Sequence, residues 1–372
     1  MVILGGAVAR RVEYGGHVWA MLQWVVGMRR LGWSVLFLDR LDPGPTVRGS
    51  ERVARFVEIM RRFDLEDAYS LDVGPDEEPV GRSRADVTAA VASSDFFLNI
   101  MGYIEDPQLL AAARHKVFLD IDPGFPQMWA ELGYCDMFAG HDAFATVGGN
   151  VGSSGCSIPS RDLAWIPVKP PVVLDLWPPC GDAGRGFTSV GSWRGPFDPV
   201  VYQGQSYGLR VHEFRRFASV PRDSDLPFEM ALDIAEEDRE DTARLRDGGW
   251  TLIDPERVAR DPMEYRRYVQ GSRAEFMVAK NMYVRSRSGW VSDRTACYLA
   301  SGRPALVQDT GLAGDLATGC GLVVYSTSEE AVHGARSIDA DWAMHARAAR
   351  ELAAEHFDAR RVLTGLADAV AA

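Results

Sequence analysis

Short apolar runs and longer amphipathic stretches alternate along the amino-terminal part of the chain. Residues 2–4 form an apolar run that predicts a buried strand, a glycine-containing loop occupies 5–16, and residues 18–31 have the spacing of an amphipathic helix. A second apolar run at 34–38 ends at Asp39. Because a strand, a crossover helix and a parallel strand make one βαβ unit, this pattern indicates a doubly wound sheet.

The same alternation continues through the first half of the chain and returns after an interruption. Prolines and glycines crowd the segments 166–172 and 177–184, which suits a linker between two domains. We therefore expect an amino-terminal domain at 1–178, a second domain at 179–340, and a carboxy-terminal helix at 341–372 that packs back toward the first domain. Further predicted strands lie at 96–100, 116–121, 143–147, 187–191, 228–234, 250–253, 275–279, 304–308 and 321–325. Further predicted helices lie at 51–63, 84–92, 107–114, 209–217, 238–247, 261–269, 292–300 and 338–370.

The chain has the size and composition of a globular enzyme with two cores. Its 372 residues are 47% hydrophobic and 25% charged, which is close to average usage and far from disorder. That length exceeds one ordinary core and fits two α/β domains. The formal net charge of −12 argues against binding to nucleic acid, because phosphate backbones are bound through clustered Lys and Arg.

Hydropathy and cysteine spacing bear on membrane insertion, metal binding and cellular compartment. No apolar run reaches the length of a membrane span, so we expect none. The five cysteines lack metal-ligand spacing, and we interpret them as reduced thiols of a cytoplasmic protein without a bound metal. These cysteines are Cys135, Cys156, Cys180, Cys297 and Cys320.

The segment 286–311 carries the most specific chemistry in the sequence. A glycine loop at 288–290 leads into a predicted helix that Ser292 caps, and a buried strand then ends at Asp309, which could accept hydrogen bonds from sugar hydroxyls. A glycine loop that feeds a helix amino terminus offers free N–H groups and the positive end of a helix dipole, which suits a diphosphate. Arg294, in the first turn, can add a bidentate contact to phosphate oxygens.

The order of residues in this segment resembles the donor-binding motif of GT-B glycosyltransferases. A Gly-Trp pair at 289–290, a serine-capped helix, Ser-Gly-Arg-Pro at 301–304, a strand and Asp-Thr-Gly at 309–311 follow one another as in that family. Gly-Gly-His-Val-Trp at 15–19 and Leu-Asp-Ile-Asp-Pro-Gly-Phe at 119–125 strengthen the likeness to bacterial, nucleotide-sugar-dependent members similar to families 1 and 4.

The resemblance implies a fold and an activity. The fold is α/β, with two Rossmann-like doubly wound domains that face each other across a cleft, the first binding the acceptor and the second the donor. The activity is metal-independent transfer of a hexose or deoxysugar from a UDP-, dTDP- or GDP-sugar to a small acceptor, either a natural product or a carbohydrate. The nucleotide sugar is a co-substrate, so no cofactor is expected.

One position departs from the family pattern. Many GT-B enzymes hold the donor ribose with an acidic residue five positions before the glycine of Gly-x-Pro, and this chain has Cys297 there. The nearest acidic residue is Asp293, one helical turn earlier, so ribose binding either shifts to Asp293 or comes from elsewhere. The departure leaves the donor nucleotide undecided.

Three residues of the first domain are candidates for the catalytic base. His17 follows two glycines, where inverting relatives place a histidine that takes the acceptor proton, and imidazole suits that task near neutral pH. Glu13 lies in the same loop, and Asp122 lies at the end of the strand 116–121, next to Pro123 and Gly124. Each also has a structural interpretation, with His17 as a helix cap or phosphate ligand and Glu13 as a solvated carboxylate. A base at His17 implies inversion of the anomeric centre, and otherwise a retaining mechanism stays open.

The second domain supplies the candidates for donor binding. Trp193 and Arg194 follow its first strand, where a GT-B loop faces the diphosphate, although Arg194 could equally stack on Trp193 at the surface. Lys280 ends a strand and is either a phosphate contact or a charge at the rim of the site. Ile253 ends another strand, near which the nucleobase would lie. Arg210 is a weaker candidate for a contact with the diphosphate. The predicted donor-binding residues are Trp193, Arg194, Ile253, Lys280, Ser288, Gly289, Trp290, Ser292, Asp293, Arg294, Asp309, Thr310 and Gly311.

Other functions remain open at this point. A GT-B-type nucleotide-sugar epimerase would use water in place of an acceptor, and a non-catalytic sugar- or nucleotide-binding protein would bind the donor without turnover. A dinucleotide-dependent oxidoreductase has similar halves, but the loop that begins at Gly5 lacks the Gly-x-Gly-x-x-Gly spacing. As partners we expect a nucleotide-sugar donor and a small-molecule acceptor, no nucleic acid, and a chain that could pair as a homodimer.

Overall fold

The computed structural model divides the chain between two large β-sheets. No helix in the part of the chain that it describes is long and apolar enough to cross a membrane. The described residues are 1–42, 47–195, 197–312, 314 and 316–371. The strands are β1 (Val2–Gly5), β2 (Val35–Arg40), β3 (Tyr69–Asp72), β4 (Val80–Gly81), β5 (Phe96–Ile100), β6 (Lys116–Asp120), β7 (Ala143–Thr146), β8 (Trp165–Pro167), β9 (Phe187–Ser192), β10 (Val200–Tyr202), β11 (Gln205–Tyr207), β12 (Phe228–Asp233), β13 (Trp250–Ile253), β14 (Ala274–Met277), β15 (Ala305–Gln308) and β16 (Leu322–Tyr325). The helices are α1 (Gly15–Arg30), α2 (Glu51–Arg62), α3 (Arg84–Ser93), α4 (Pro107–Ala112), α5 (Phe125–Glu131), α6 (Arg210–Phe214), α7 (Val220–Ser224), α8 (Arg239–Asp247), α9 (Pro262–Gln270), α10 (Asn281–Ser286), α11 (Asp293–Ala300), α12 (Ser328–Ala340), α13 (Trp342–Leu352) and α14 (Ala359–Ala371).

The first sheet has eight strands in the order β4-β3-β2-β1-β5-β6-β7-β8. All neighbouring strands run parallel except β3 and β4. Because β1 lies between β2 and β5, the chain winds outward first on one side and then on the other, as in a doubly wound sheet. A parallel sheet covered on both faces needs nearly continuous apolar strands, and β1 is buried at every residue.

The second sheet has six strands, all parallel, in the order β13-β12-β9-β14-β15-β16. Its first strand in sequence, β9, lies inside the sheet, and the strands that follow extend first on one side and then on the other. Both sheets therefore have the strand order of a Rossmann fold. The predicted fold class, two Rossmann-like doubly wound domains, is confirmed.

Several short elements escape the hydrophobic pattern. Strands β3 and β4 pair antiparallel at the edge of the first sheet, and β8 lies inside the proline-rich stretch predicted as linker. Proline is tolerated in β8 because this is an edge strand, where one row of N–H groups has no ladder partner. Helix α5 and the hairpin β10–β11 were also not predicted. These elements span two to seven residues, too few for a periodic signal to develop.

The single helix predicted at 338–370 is wrong. Helices α12, α13 and α14 cover this part of the chain, and a π-helical turn at Ala353–Phe357 joins the last two. Asp341 starts α13 by accepting the N–H of Met344, and Asp358 ends the π turn with a non-helical backbone at φ −54° and ψ 121°. Side-chain caps of this kind set helix ends more sharply than the apolar pattern does.

The last helix, α14, packs against the first domain. The N–H of Val172 donates to the Phe357 carbonyl at 2.7 Å, and the N–H of Ala359 donates to the Val172 carbonyl at 2.9 Å. Helix α14 then lies on α1 at Gly27, where an added Cβ would stand 2.7 Å from the Leu363 side chain. Glycine at that position lets the two helices approach closely.

Candidate active site

The carboxyl ends of the two sheets face each other. The loop after β6 contacts the segment after β14, and the loop after β7 contacts the loop after β15. Open α/β sheets bind their ligands at these carboxyl ends. We call this region the domain junction, and it holds most of the candidate site residues.

Asp122 reaches across the domain junction to two side chains of the second domain. Lys280 Nζ donates to one carboxylate oxygen at 2.6 Å, and the Tyr283 hydroxyl donates to the other. The same ammonium lies 5.0 Å from the ring centroid of Phe125 and 5.5 Å from that of Phe197, a cation–π geometry. The side chains of Asp122 and Lys280 are 19% and 18% exposed, so solvent screens this ion pair only in part.

Arg294 points into the second domain. Its Nε donates to Glu275 at 2.6 Å, and its Nη1 donates to the Val190 carbonyl at 2.6 Å. Glu275 is fully buried, and its other carboxylate oxygen has no partner among the described residues. Burial alone would lower the pKa of Arg294, but Glu275, together with Tyr265 and Tyr298, outweighs it and raises that pKa overall. Arg294 is therefore permanently charged, and one edge of its guanidinium is held by the protein.

Arg210 lies beside Arg294 at the carboxyl end of β9. Within the described ranges it forms no ion pair, and its Nε is buried without a hydrogen-bond partner. Burial, together with repulsion from Arg294, lowers the pKa of Arg210 to about 10. Its guanidinium passes over Gly191, where any side chain would overlap it. Arg294 pairs directly with Glu275, whereas Arg210 interacts with the carboxylates of Glu275 and Asp122 only at longer range, which leaves a surplus of positive charge at Arg210.

Helix α11 begins at this surplus of charge. Ser292 Oγ accepts the N–H of Arg294 at 3.2 Å, the cap that the sequence predicted. The first turn of a helix has N–H groups that no carbonyl of the same helix accepts, and it carries the positive end of the dipole. Asp293 lies in the same turn, and burial raises the pKa of its carboxyl.

The predicted glycine loop is bound to the loop after β15. The N–H of Gly289 donates to the Thr310 carbonyl at 2.8 Å, and the Thr310 hydroxyl donates to the Trp290 carbonyl at 2.7 Å. Asp309 holds its own turn by accepting the N–H of Gly311 at 2.8 Å. Gly289 and Gly311 have φ values of +71° and +82°, a left-handed conformation that favours glycine.

Asn150 of the first domain closes over these two loops. Its Nδ2 donates to the carbonyls of Gly311 at 2.6 Å and Arg287 at 2.9 Å, and its N–H donates to the Ser288 carbonyl at 2.9 Å. A Cβ at Gly289 would lie 2.9 Å from the Asn150 side chain, so this contact requires glycine. The glycine loop at 288–290, which the sequence predicted to bind diphosphate, is therefore bound to the first domain through Asn150.

His17 is turned toward its own loop. Its Nε2 lies 2.5 Å from the Ala7 carbonyl oxygen, and because that oxygen can only accept, Nε2 carries the proton. Burial, with a smaller contribution from Arg11, lowers the pKa of His17 to about 4. His17 is neutral at pH 7 and is a weaker base than free imidazole.

Asp39 fixes the loop that carries Glu13. Its Oδ2 accepts the N–H groups of Val8 and Ala9, both at 2.7 Å, and burial raises its pKa to about 7. Dinucleotide-binding folds use an acidic residue near this point for the ribose. Here the carboxylate is occupied by the loop, which argues against the oxidoreductase interpretation. Glu13 is half-exposed, with its Oε1 3.6 Å from Nη2 of Arg52.

The glycines at the start of α1 touch the second domain. The N–H of Gly15 donates to the Ala259 carbonyl at 2.7 Å, and a Cβ at Gly15 would stand 2.5 Å from the Asp261 carbonyl oxygen. The indole N–H of Trp19 donates to the Pro262 carbonyl at 2.6 Å. The loop that follows β13 therefore packs against the amino terminus of α1.

Three residues predicted to bind the donor, Trp193, Arg194 and Ile253, lie away from the Arg210–Arg294 pair or have other partners. Trp193 is buried in the core, and its indole N–H donates to Asp241 at 2.9 Å. Arg194 is 54% exposed and paired with Asp238. Ile253 ends β13 half-buried, as the sequence predicted. The side-chain contacts of Trp193 and Arg194 thus give no support to a role in donor binding.

Cys297, where the family pattern has an acidic residue, is buried against α1. The Nε2 of Gln23 lies 3.7 Å from its Sγ, and Gln23 Oε1 accepts the N–H of Val173 at 2.8 Å. Burial raises the pKa of the Cys297 thiol. All five cysteines are free. Among the residues placed by the structure, no three His, Cys, Asp or Glu side chains gather as metal ligands would.

Sequence reasoning missed several side chains at the junction. Tyr283 and Asn150 belong to no motif, and only their long-range contacts reveal them. Arg210 received only a weak claim from its position after β9. Glu275 did carry a usable signal, because a carboxylate inside the otherwise apolar β14 must be paired when it is buried.

Solved structures match this chain over its whole length, whereas no protein-family model and no curated protein sequence matches it. An α-glucosyltransferase in complex with UDP-glucose and DNA containing an abasic site matches with a TM-score of 0.62 at 11% identity, covering 100% of this chain and 99% of that chain. The Anabaena protein HepE in complex with UDP matches with a TM-score of 0.56 at 10% identity, covering 100% of both chains. A glycosyltransferase from Rickettsia africae matches with a TM-score of 0.52 at 11% identity, covering 100% and 98%.

These likenesses establish the fold. The chain has the GT-B architecture, with two Rossmann-like domains whose sheets face each other at their carboxyl ends. The resemblance drawn from the segment 286–311 is thus confirmed for the fold.

Proposed function

We propose that this protein transfers a glycosyl group from a nucleoside-diphosphate sugar to an acceptor hydroxyl. In that reaction the acceptor oxygen bonds to the anomeric carbon, the bond from that carbon to the diphosphate breaks, and the acceptor loses its proton. The protein holds the two substrates in line and stabilises the negative charge of the departing diphosphate.

The surplus of positive charge at the end of β9 carries this proposal. Arg294 is buried and paired with Glu275, whereas the half-buried Arg210 beside it has no ion-pair partner among the described residues. A buried charge without its own partner lowers stability, and such strained charges are typical of functional sites. A diphosphate supplies the missing negative charge, and the guanidinium fork binds phosphate oxygens in pairs. The first turn of α11 adds its dipole at the same place.

Among the three candidate bases, Asp122 has the best support for directing the acceptor hydroxyl. Its carboxylate is oriented by Lys280 and Tyr283 at the junction. His17 has a lowered pKa and donates to its own loop, and the half-exposed Glu13 faces solvent and an arginine. We propose that the acceptor binds at the carboxyl end of the first sheet, beside Asp122. The anomeric configuration of the product, read by proton NMR, decides between inversion and retention.

The choice of substrates to test first follows from the matched proteins and from charge. UDP or UDP-glucose is present in the α-glucosyltransferase and HepE complexes, so we propose a UDP-sugar as donor. Three of the matched α-glucosyltransferase complexes contain DNA, but the net charge of −12 favours a small acceptor, a natural product or a carbohydrate. We propose further that no metal or other cofactor takes part, and that the reduced cysteines reflect a cytoplasmic setting.

Isothermal calorimetry with UDP, UDP-glucose, dTDP and GDP, each with and without EDTA, tests the proposal. We expect one nucleotide class to bind at micromolar concentration with EDTA present. Arg210→Met should weaken that binding about 10- to 100-fold, the effect of losing one or two charge-assisted hydrogen bonds. Arg222→Met is the matched control, because Arg222 is 61% exposed and paired with Asp223. Absence of binding by all four ligands would contradict the proposal.

Turnover is measured as UDP released from the donor that binds. Acceptor panels of carbohydrates and natural products should raise the release above the rate in water alone. Release that no acceptor accelerates would instead favour the epimerase interpretation, in which water replaces the acceptor, and binding without release would favour a non-catalytic protein.

A further inference from the structure

Asp120 lies beneath the domain junction and is completely buried. Its Oδ2 accepts from Gln127 Nε2 at 2.7 Å and from Thr146 Oγ1 at 2.8 Å, and its Oδ1 accepts the N–H of Asp122 at 3.0 Å. All three donors are neutral, and among the described residues no cation forms an ion pair with this carboxylate. Burial raises its pKa to about 6. A buried carboxylate held only by neutral donors is costly, so its retention calls for a reason.

The two side chains bound to this carboxylate extend it to two loops. Gln127 Oε1 accepts the N–H of Gly124 at 2.8 Å, in the loop after β6. Thr146 Oγ1 accepts the N–H of Gly148 at 3.0 Å, in the loop after β7. One carboxylate therefore ties together two loops that are not adjacent in sequence.

Both loops cross to the second domain. The loop after β6 carries Asp122, which binds Lys280. The loop after β7 carries Asn150, which binds the loop before α11 and the loop after β15, and its Gly148 forms an antiparallel bridge with Trp290. The Asp120 network thus supports two of the polar contacts between the domains, from the first-domain side.

We propose that Asp120 is a positioning residue that holds both crossing loops in one geometry, so that Asp122 and the second domain's loops around α11 keep a fixed relation. A carboxylate is required because three hydrogen-bond donors converge on this side chain. An amide would place its own NH₂ donor among them. The effect on catalysis rests on the proposed glycosyl transfer, whereas the effect on the loops does not.

Asp120→Asn is the decisive substitution because it preserves shape and changes one acceptor into a donor. If the amide oxygen takes the place of Oδ2, the new NH₂ opposes the N–H of Asp122. If the amide is reversed, its NH₂ opposes the NH₂ of Gln127, whereas the Thr146 hydroxyl can rotate to accept from it. Either way at least one loop loses its tether, since two donors cannot share a hydrogen bond.

Two further variants separate the arms of the network. Thr146→Val removes the tether of the loop after β7, and Gln127→Leu removes that of the loop after β6. Thr88→Val is the matched control, because the exposed Thr88 hydroxyl donates only to the Arg84 carbonyl within α3. These variants also decide the question if Asp120→Asn fails to fold.

Hydrogen–deuterium exchange of the full chain is the first readout, and it is independent of the proposed activity. We expect the amides of Asn150 and Gly289 to exchange about five- to tenfold faster in Thr146→Val, and the amides of the loop after β6 to exchange faster in Asp120→Asn, because loosening a loop exposes its hydrogen bonds. In Gln127→Leu the increase should be confined to the loop after β6, and Thr88→Val should leave both regions unchanged. Unchanged exchange at both loops in all three network variants would overturn the proposal.

The second readout compares donor affinity with turnover. Asp120→Asn should bind UDP within about threefold of the wild type, because Arg210 and Arg294 lie on the other domain, while kcat falls about 100-fold through misplacement of Asp122. Equal loss of affinity and kcat, or no loss of kcat, would contradict a positioning role. If the wild type binds no nucleotide, the proposed function fails and the exchange data alone decide the structural claim.

Discussion

Replacing Arg210 with methionine should make the protein more stable while it weakens nucleotide binding. The guanidinium is buried next to that of Arg294, and its pKa of about 10 compares with an ordinary value of 12.5. At about 1.4 kcal/mol for each pH unit, this difference corresponds to roughly 3 kcal/mol of unfavourable interaction of the charged form at neutral pH. Methionine keeps most of the aliphatic packing and removes the repulsion. After relaxation of the surroundings, we expect a gain of about 1–2 kcal/mol in the free energy of unfolding.

Urea unfolding followed by circular dichroism measures this gain, with Arg222→Met as the matched control expected within about 0.5 kcal/mol of the wild type. Arg294→Ala would be a poorer test, because it leaves the buried Glu275 without its partner and should destabilise the fold by about 3–5 kcal/mol. A loss of 1 kcal/mol or more in Arg210→Met would refute the reasoning. It would mean that the guanidinium has compensating partners in the free protein and is not held in reserve for an anion.

Three other predictions test the junction and its glycines. A double-mutant cycle on Asp122→Asn and Lys280→Met should give a coupling of about 1–2 kcal/mol, since the pair is mostly buried, and a coupling near zero would show that it does not form in solution. Gly15→Ala should lower the free energy of unfolding by about 2 kcal/mol, because the new Cβ clashes with the backbone at Asp261. Gly365→Ala, in an open position of α14, should raise it by about 0.5–1 kcal/mol. Equal effects of the two substitutions in urea denaturation would contradict the close packing at Gly15. Because the pKa of His17 is lowered to about 4 in the folded state, stability present above pH 6.5 is lost as pH falls toward 4, and His17→Gln should lose about 2 kcal/mol less over that range in urea titrations.

The fold was predictable because its information is local. The strands β1 and β2, with α1 between them, show their periods within 40 residues, and the repeat of that unit implies parallel sheets. The breaks before and after α13 were not predictable from periodicity. The first depends on the Asp341 cap, and the second depends on the pairing of Val172 with residues near Asp358, a contact between distant parts of the chain.

The candidate site was only partly predictable, because its side chains meet across long separations. Lys280 and Asp122 are 158 positions apart, and nothing in either local sequence names the other. The sequence correctly predicted that segment 286–311 contains a loop that leads into a capped helix. The glycine loop, however, forms hydrogen bonds with Asn150 of the other domain. Trp193 was predicted to bind the donor but is buried in the core. The sequence alone does not tell whether a side chain at a strand end points into the core or toward the ligand.

The most direct test of the central claim is a crystal structure of the wild-type protein with UDP bound. The account predicts diphosphate oxygens within about 3 Å of the Arg210 guanidinium and of N–H groups in the first turn of α11. UDP bound elsewhere in the chain, or bound at the junction with the diphosphate away from Arg210 and α11, would contradict it.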